Sequence, residues 1–371
     1  MKIIFFCTYL FSPLGRRTGH TSLIRQFGPK LKKKGFEIEV IALCGVDDVK
    51  NNLKLTILQD EIHDSTWSIP KKFMWWFKIS MYLIRFSVLN YKKLKKSKIV
   101  TLTAGASLVL PIFFKGVFIW ENVAYFEKHK VIDFFRLLLL KILKAIIILP
   151  TRNEMQQLKK IPFNINLRFL RNPYTENIIT KDSSSIEISY DVSNYKFMSA
   201  GWFEHRKGFD QLIHSIKLIK NDLDRNTKFH IFGDGVESKA LKEQVKENKL
   251  ENIVVFRGFP DGLHDQYHQF NAFILPSRLE GFPLVMIDAL AAGLPIIAFD
   301  CPTGPREIIK SGYNGQLVEN SNLDQLSKTI LEFSKFNKDK SLIYLNNSKE
   351  SVKEFGPDIV IDDFITTINY N

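Results

Sequence analysis

Five short apolar runs recur along the second half of this chain: KFMSAG (196–201), KFHIFG (228–233), NIVVFRGF (252–259), AFILPS (272–277) and LPIIAF (294–299). Helical patterns such as FDQLIHSIKLIK (209–220) and SKALKEQVKEN (238–248) lie between them. A strand that is apolar at successive positions is covered on both faces, and helical crossovers between such strands make them parallel. The alternation therefore predicts an α/β fold with a doubly wound parallel sheet. The first half follows the same plan. KIIFFCTYL leads into a glycine-containing loop and a helix to about Lys34, with Gly35 as its stop, and then FEIEVIAL. AIIILPT and LRFLRNPY follow on either side of a polar helix.

At 371 residues the chain is long enough for two domains, each with its own core. Asn172-Pro173-Tyr174, followed by the polar stretch 175–194, marks the boundary, giving domains at 1–175 and 176–355. Cys7, Cys44 and Cys301 are too dispersed for a metal pattern or a disulfide framework, so a reducing cytoplasmic setting is expected. The start, MKIIFFCTYLF, has the flavour of a signal peptide but lacks a small-residue cleavage site, and reads better as a first buried strand. FFRLLLLKILKAIIILP (134–150) is interrupted by Arg136, Lys141 and Lys144 and falls short of the ~20 residues a membrane span needs. It reads as a helix followed by a buried strand.

Charge is unevenly shared. Residues 1–175 hold 30 Lys and Arg against 11 Asp and Glu, and the remainder 22 against 28, so balances of +19 and −6 make up the net +13. The first half alone thus calls for an anionic partner. Between Thr66 and Val100 there are nine Lys and Arg and no acidic residue, interleaved with Trp67, Phe73, Trp75, Trp76, Phe77 and Tyr82. That composition suits an interfacial element against anionic lipid headgroups, each nearby cation contributing about 1 kcal/mol. A core helix with a solvated basic face is the alternative. Nucleic acid is a third, without a recognised binding motif to accompany it.

Residues 281–299, GFPLVMIDALAAGLPIIAF, carry one charge in nineteen positions, Asp288. Its neighbours at three and four positions, Leu284, Val285, Ala291 and Ala292, are all apolar. A carboxylate there needs a backbone donor, a ligand or a polar cleft. Pro283 suits a first helical turn, where the N–H groups of Leu284 and Val285 would be free to hold an anion. Glu280 precedes the helix. An anion-binding helix start flanked by two acceptors describes a site for a polyhydroxylated phosphate ester.

The stretch PSRLEGFPLVMIDALAAGLPIIAFDCPTGPREIIKSGYNGQLVE, Pro276 to Glu319, resembles the signature region of retaining glycosyltransferase family 4, of the bacterial surface-polysaccharide type. That family carries Glu-x7-Glu with Gly-Phe after the first Glu; here Glu280-Gly281-Phe282 is followed by Asp288 in the second place. The resemblance implies the GT-B arrangement, two Rossmann-like domains facing across a cleft, with a C-terminal helix (PDIVIDDFITTI, within 356–371) crossing back to the first. It implies that Glu280 contacts the donor sugar, that Asp288, one methylene shorter than Glu, takes the ribose hydroxyls, and that Gly281, Phe282, Pro283 and Leu284 line the diphosphate.

In SAGWFEHRKGFDQLI (199–213) the Lys207-Gly208 pair matches the family's Lys-Gly, which makes Lys207 a diphosphate ligand stabilising the leaving group. Trp202 stands where Arg is usual; Arg206 supplies the second cation, or Lys207 suffices. A solvated Lys at a helix start is the plain alternative. Gly19-His20 matches part of a glycine loop that approaches the diphosphate, and Arg257-Gly258-Phe259 follows a strand where the family's backbone reads the base. Glu121-Asn122 occupies the place of a Glu-His pair, so acceptor-side base work falls to Glu121 or to the substrate, unless Glu121 is a simple helix cap. Asp222-Leu223-Asp224 reads as a solvated turn, and neither metal nor cofactor is expected.

The expected activity is transfer of a sugar from a nucleotide donor, a UDP-sugar, to a hydroxyl of a glycan, lipid-linked, with retention. Front-face attack, helped by the leaving phosphate, is the implied route. The expected partners are the nucleotide sugar, the glycan acceptor and the inner face of the cytoplasmic membrane, not nucleic acid. A nucleotide-sugar binder without turnover and a nucleotide-sugar epimerase on the same scaffold are the competing readings.

Overall fold

A computed structural model describes residues 1–9, 19–44, 54–58, 69–102, 104–120, 130–178, 194–260 and 262–369. The chain divides into two compact units, Met1–Asn172 with Pro357–Asn371, and Pro173–Gly356.

The first unit holds seven strands: β1 (Lys2–Tyr9), β2 (Glu37–Cys44), β3 (Lys54–Ile57), β4 (Lys98–Thr101), β5 (Phe118–Trp120), β6 (Ile146–Leu149) and β7 (Asn166–Phe169). Their order is β3-β2-β1-β4-β5-β6-β7, and every pairing is parallel. The apolar start of the chain is thus a central strand, bracketed by β2 and β4. Its side chains alternate between two cores, as the period of a strand requires. Ile3, Phe5 and Cys7 face the helix Gly19–Lys33 and the C-terminal helix Pro357–Asn369. Ile4 and Phe6 face the helices Ile69–Leu89, Ala104–Phe113 and Lys130–Ile142. Residues 134–150 are, as read, the end of a helix and then a buried strand.

The C-terminal helix is fixed by packing and by charge. Phe364 stacks on Trp120 at 5.6 Å, and Lys30 and Lys34 pair with Asp358 and Asp362, each at 2.6 Å, one helical turn apart on both partners. Glu39 is a charged residue inside this unit, held by Lys93 at 2.6 Å and Lys2 at 2.9 Å. Burial pushes its carboxyl up, but the two ammonium groups outweigh that and leave it below the ordinary range.

The second unit holds β8 (Lys196–Ala200), β9 (Lys228–Phe232), β10 (Val254–Gly258), β11 (Ala272–Leu275), β12 (Ile296–Phe299) and β13 (Gly315–Val318). The order is β10-β9-β8-β11-β12-β13, again parallel throughout. All five apolar runs are strands, and both helical patterns between them are helices (Phe209–Ile219 and Ser238–Glu247). β3, β4 and β13 escaped the sequence reading because each is only four residues long.

In this order the sheet reverses direction of growth between β8 and β11, which lie side by side with Phe197 paired to Met198's neighbour strand through Ala272. At such a reversal the connections leave to opposite faces, so the carboxyl ends of the two strands are where open α/β sheets bind ligands.

Candidate active site

The loops that leave β8 and β11 converge. After β8 the chain passes Gly201–Glu204, makes a single turn at His205–Lys207, and enters the helix Phe209–Ile219 through Gly208. Gly208 has φ +67°, and a Cβ there would lie 2.0 Å from the Pro276 carbonyl oxygen, so no other residue fits without moving the loop after β11. Three further contacts join the loops. The Arg278 amide donates to the Arg206 carbonyl at 2.9 Å, Arg278 grips Asp210 with both terminal nitrogens (2.8 and 2.6 Å), and one of these also reaches the His205 carbonyl at 2.6 Å. The bidentate pair draws the Asp210 carboxyl below its ordinary range despite burial, which acts the other way.

The convergence brings two expected site residues together. Lys207 Nζ donates to Glu280 Oε1 at 2.7 Å, and the Ser277 hydroxyl donates to the same oxygen at 2.7 Å. Glu280 Oε2 lies 4.0 Å from Arg206 Nη1, whose guanidinium is otherwise engaged with Glu204 at 2.8 Å. Glu280 is only 4% exposed, and Lys207 is partly buried. Its backbone is held too: the Glu280 amide donates to the Pro302 carbonyl (2.8 Å) and its carbonyl accepts from Thr303 (2.6 Å), a bridge to the loop after β12. Gly281 accepts from the Thr303 hydroxyl at 3.3 Å, and Phe282 is buried against Phe355. Pro283 then opens the eight-residue helix Leu284–Ala291, with no side chain capping its start. The first N–H groups of a helix have no partner within it, so this end is suited to an anion.

Asp288 meets a backbone donor. Its Oδ1 accepts from the Thr175 amide at 2.7 Å and its Oδ2 from the Thr175 hydroxyl at 3.2 Å. Burial pushes the carboxyl up to about 7, against the two bonds from Thr175 that pull it down. Gly258 closes β10 with φ +65° and open space where a Cβ would be, and its carbonyl accepts from Gly233 at 2.7 Å. Trp202, in the position where Arg was expected, stacks on Phe259 at 6.3 Å and 18°. Gly19 begins the helix Gly19–Lys33; the loop before it and the side chain of His20 lie outside the described residues, as do Glu121 and Asn122.

Sequence reasoning missed Ser277, Arg278, Asp210 and Thr175. The first two stand inside the signature stretch, next to Glu280, and could have been picked out as donors to it. Asp210 and Thr175 meet their partners across 68 and 113 residues of chain, and nothing local announces either contact. A further unforeseen pair is His230 and Arg257: Arg257 Nε donates to His230 Nδ1 at 2.9 Å, and burial together with that guanidinium lowers the imidazole to about 4. Among the described residues no group of three or more His, Cys, Asp or Glu side chains is placed to hold a metal ion.

Comparison with known proteins agrees with this geometry. Two solved structures match the whole chain: Anabaena Alr3699/HepE in complex with UDP, at TM-score 0.79 and 15% identity over 100% of both chains, and Staphylococcus aureus TarM in complex with fondaparinux, alpha-GlcNAc-glycerol and UDP, at 0.76 and 13% over 100% of both. The chain has the GT-B fold. Residues 184–350 match the family model of glycosyl transferases group 1. An uncharacterized glycosyltransferase of Haemophilus influenzae is 34% identical over 140 residues, 38% of this chain and 39% of that protein. The poly(ribitol-phosphate) alpha-N-acetylglucosaminyltransferase of Staphylococcus aureus is 31% identical over 126 residues, 34% of this chain and 25% of that protein. The chain thus spans well under half the length of these two curated relatives. The stretches of likeness are of a size to cover a group 1 domain, and a group 1 domain in a GT-B chain is built around the convergence of loops described above.

Proposed function

We propose that this GT-B protein is a glycosyltransferase that moves a sugar from a UDP-sugar to a hydroxyl of a surface glycan, with retention at the anomeric carbon. The observation that carries the reading is the Lys207–Glu280 pair at the carboxyl ends of β8 and β11, beside the uncapped start of the 284–291 helix. A diphosphate docked at that helix start would meet Lys207, with Arg206 in support. The ammonium then neutralises charge that grows on the leaving group as the glycosidic bond breaks, which is where a fixed cation lowers a barrier most. Drawing Lys207 toward phosphate frees Glu280 Oε1, and Oε2 is already without a close partner cation, so the carboxylate can take two hydroxyls of the sugar. The names of relatives specify alpha-glycosyl transfer onto poly(glycerol-phosphate) and poly(ribitol-phosphate), which favours retention from an α-linked UDP-sugar and a polyanionic or lipid-linked acceptor. No cofactor is required by this scheme, since the leaving diphosphate is met by side-chain and backbone donors.

The acceptor side would work at the cytoplasmic face of a membrane. The helix Ile69–Leu89 turns Met74, Phe77 and Met81 outward, each more than half exposed, and Phe135 and Ile142 on the helix Lys130–Ile142 are exposed on the same face of the sheet. Arg85, Lys92, Lys95 and Lys141 are exposed on these elements or just after them, and residues 69–120 contain no Asp or Glu. Exposed apolar side chains ringed by cations suit an anionic bilayer surface. No described helix is long and apolar enough to cross a membrane.

The test is turnover. Release of UDP and formation of a glycoside from a panel of UDP-, GDP- and ADP-sugars should show one preferred donor, with Glu280→Gln slower by two orders of magnitude or more. Equal, negligible turnover by both proteins would leave a nucleotide-sugar binder, and donor isomerisation without acceptor would mark an epimerase. Separately, the protein should sediment with phosphatidylglycerol vesicles and not with phosphatidylcholine vesicles, and Phe77→Ser with Met81→Ser should abolish the difference.

A further inference from the structure

Both chain segments that join the second unit to the rest of the protein end on the candidate donor helix. The chain enters that unit at Pro173 and leaves it at Gly356. Two residues after entry, Thr175 gives its amide and its hydroxyl to the two oxygens of Asp288, at 2.7 and 3.2 Å. One residue earlier, the Tyr174 amide donates to the Phe355 carbonyl at 3.2 Å, which ties the entering segment to the leaving one. Phe355 in turn packs its ring against Phe282, 6.0 Å away, in the loop between Glu280 and the helix start. From below, the buried Tyr267 places its hydroxyl 3.5 Å from the Val285 carbonyl, in the first turn of the same helix.

We infer that Asp288 is a positioning residue, a clamp that holds the entering segment at Thr175 to the 284–291 helix and thereby fixes the start of that helix beside Glu280. Two donors from one residue on two oxygens of one carboxylate define an orientation as well as a distance, which a single bond would not. The contact spans 113 residues of sequence, so it orders two segments that nothing local would bring together. Each carboxylate oxygen keeps a second lone pair, so the clamp does not depend on whether a ribose hydroxyl also reaches Asp288. The anchoring itself stands apart from the proposed activity; its consequence for nucleotide binding rests on that reading.

The experiment has two arms. Amide hydrogen exchange is measured across 173–178 in the protein without nucleotide, for wild type, Asp288→Ala, Asp288→Asn and Thr175→Ala. Asp288→Ala should speed exchange of the Thr175 amide about tenfold or more, Asp288→Asn, which keeps an acceptor, should restore most of the protection, and Thr175→Ala should leave the amide bond and lose part of it. In the second arm, UDP and 2′-deoxy-UDP are titrated calorimetrically. A clamp predicts that Asp288→Ala weakens both to the same factor. Unchanged exchange at Thr175 in Asp288→Ala, or a loss confined to UDP with 2′-deoxy-UDP unaffected, would overturn the inference. If neither nucleotide binds wild type, the donor reading fails, while the exchange arm still decides the clamp.

Discussion

Replacing Lys207 by Met takes away the ammonium 2.7 Å from Glu280 and leaves a carboxylate that is 4% exposed. Stranding one member of a buried pair costs about 3–5 kcal/mol when nothing else compensates. Here the Ser277 hydroxyl stays at 2.7 Å and Arg206 is within 4.0 Å, so part of the charge remains solvated by protein. We expect a loss of about 1–3 kcal/mol, since a hydrogen bond to a charged group is of that size. For a unit of this size each kcal/mol moves the melting temperature by about 2–4 °C, so calorimetric melts should fall by roughly 3–10 °C. Glu280→Gln alone should cost less, because Gln still accepts from Lys207 and Ser277. The double variant Lys207→Met, Glu280→Gln should melt above Lys207→Met, the neutral pair having no charge to strand. Titration with UDP separates stability from function: Lys207→Met should lose about tenfold or more in affinity, and Glu280→Gln should keep UDP affinity while losing preference among UDP-sugars. If Lys207→Met melts with wild type and the two substitutions are additive, the pair is not the organising interaction of the site, and the functional assignment loses its support.

Other outcomes follow from single contacts. Gly208→Ala places a Cβ 2.0 Å from a backbone carbonyl at a left-handed φ, and should destabilise by about 2–4 kcal/mol in chemical denaturation while lowering UDP affinity with it. Glu39, whose folded carboxyl lies below its unfolded range, contributes stability that is present above about pH 4.5 and lost as pH falls through the folded value; Glu39→Gln should flatten that acid limb in pH-dependent melts. His230 is neutral in the fold down to about pH 4, so the unfolded chain binds the extra proton between about 6.5 and 4 and stability falls as pH drops through that window; His230→Gln should reduce the slope. Asp288 has the opposite sign. Its carboxyl titrates near 7 when folded, so the fold binds the extra proton between about 4 and 7 and loses stability as pH rises; Asp288→Asn should be more stable than wild type at pH 8 by a few kcal/mol at most, with no advantage at pH 4.

Much of the fold was legible because its signals are local. A run such as IIFF or AFIL can be satisfied only by burial on both faces, and helical patterns between such runs leave a parallel sheet as the economical solution. Glu280 and Lys207 were legible for a related reason: each stands a few residues past the end of a strand, where side chains reach the ligand edge of such a sheet. The role of Asp288 was not legible. Its apolar neighbours showed that the carboxylate needed a partner, but a ligand and a backbone donor satisfy that need equally well, and the choice depends on where Thr175 comes to rest.

Composition and periodicity alone thus determined the class of the protein, the positions of most strands, and the candidacy of a cation and a carboxylate for one site. Tertiary structure decided the rest. The pairing of Lys207 with Glu280 across 73 residues, the loop contact that forbids a side chain at Gly208, and the hold of Asp288 on Thr175 all require strands far apart in sequence to lie side by side. Sequence patterns record what each segment must bury or hydrate; which distant group meets that demand is settled only when the sheet order is fixed.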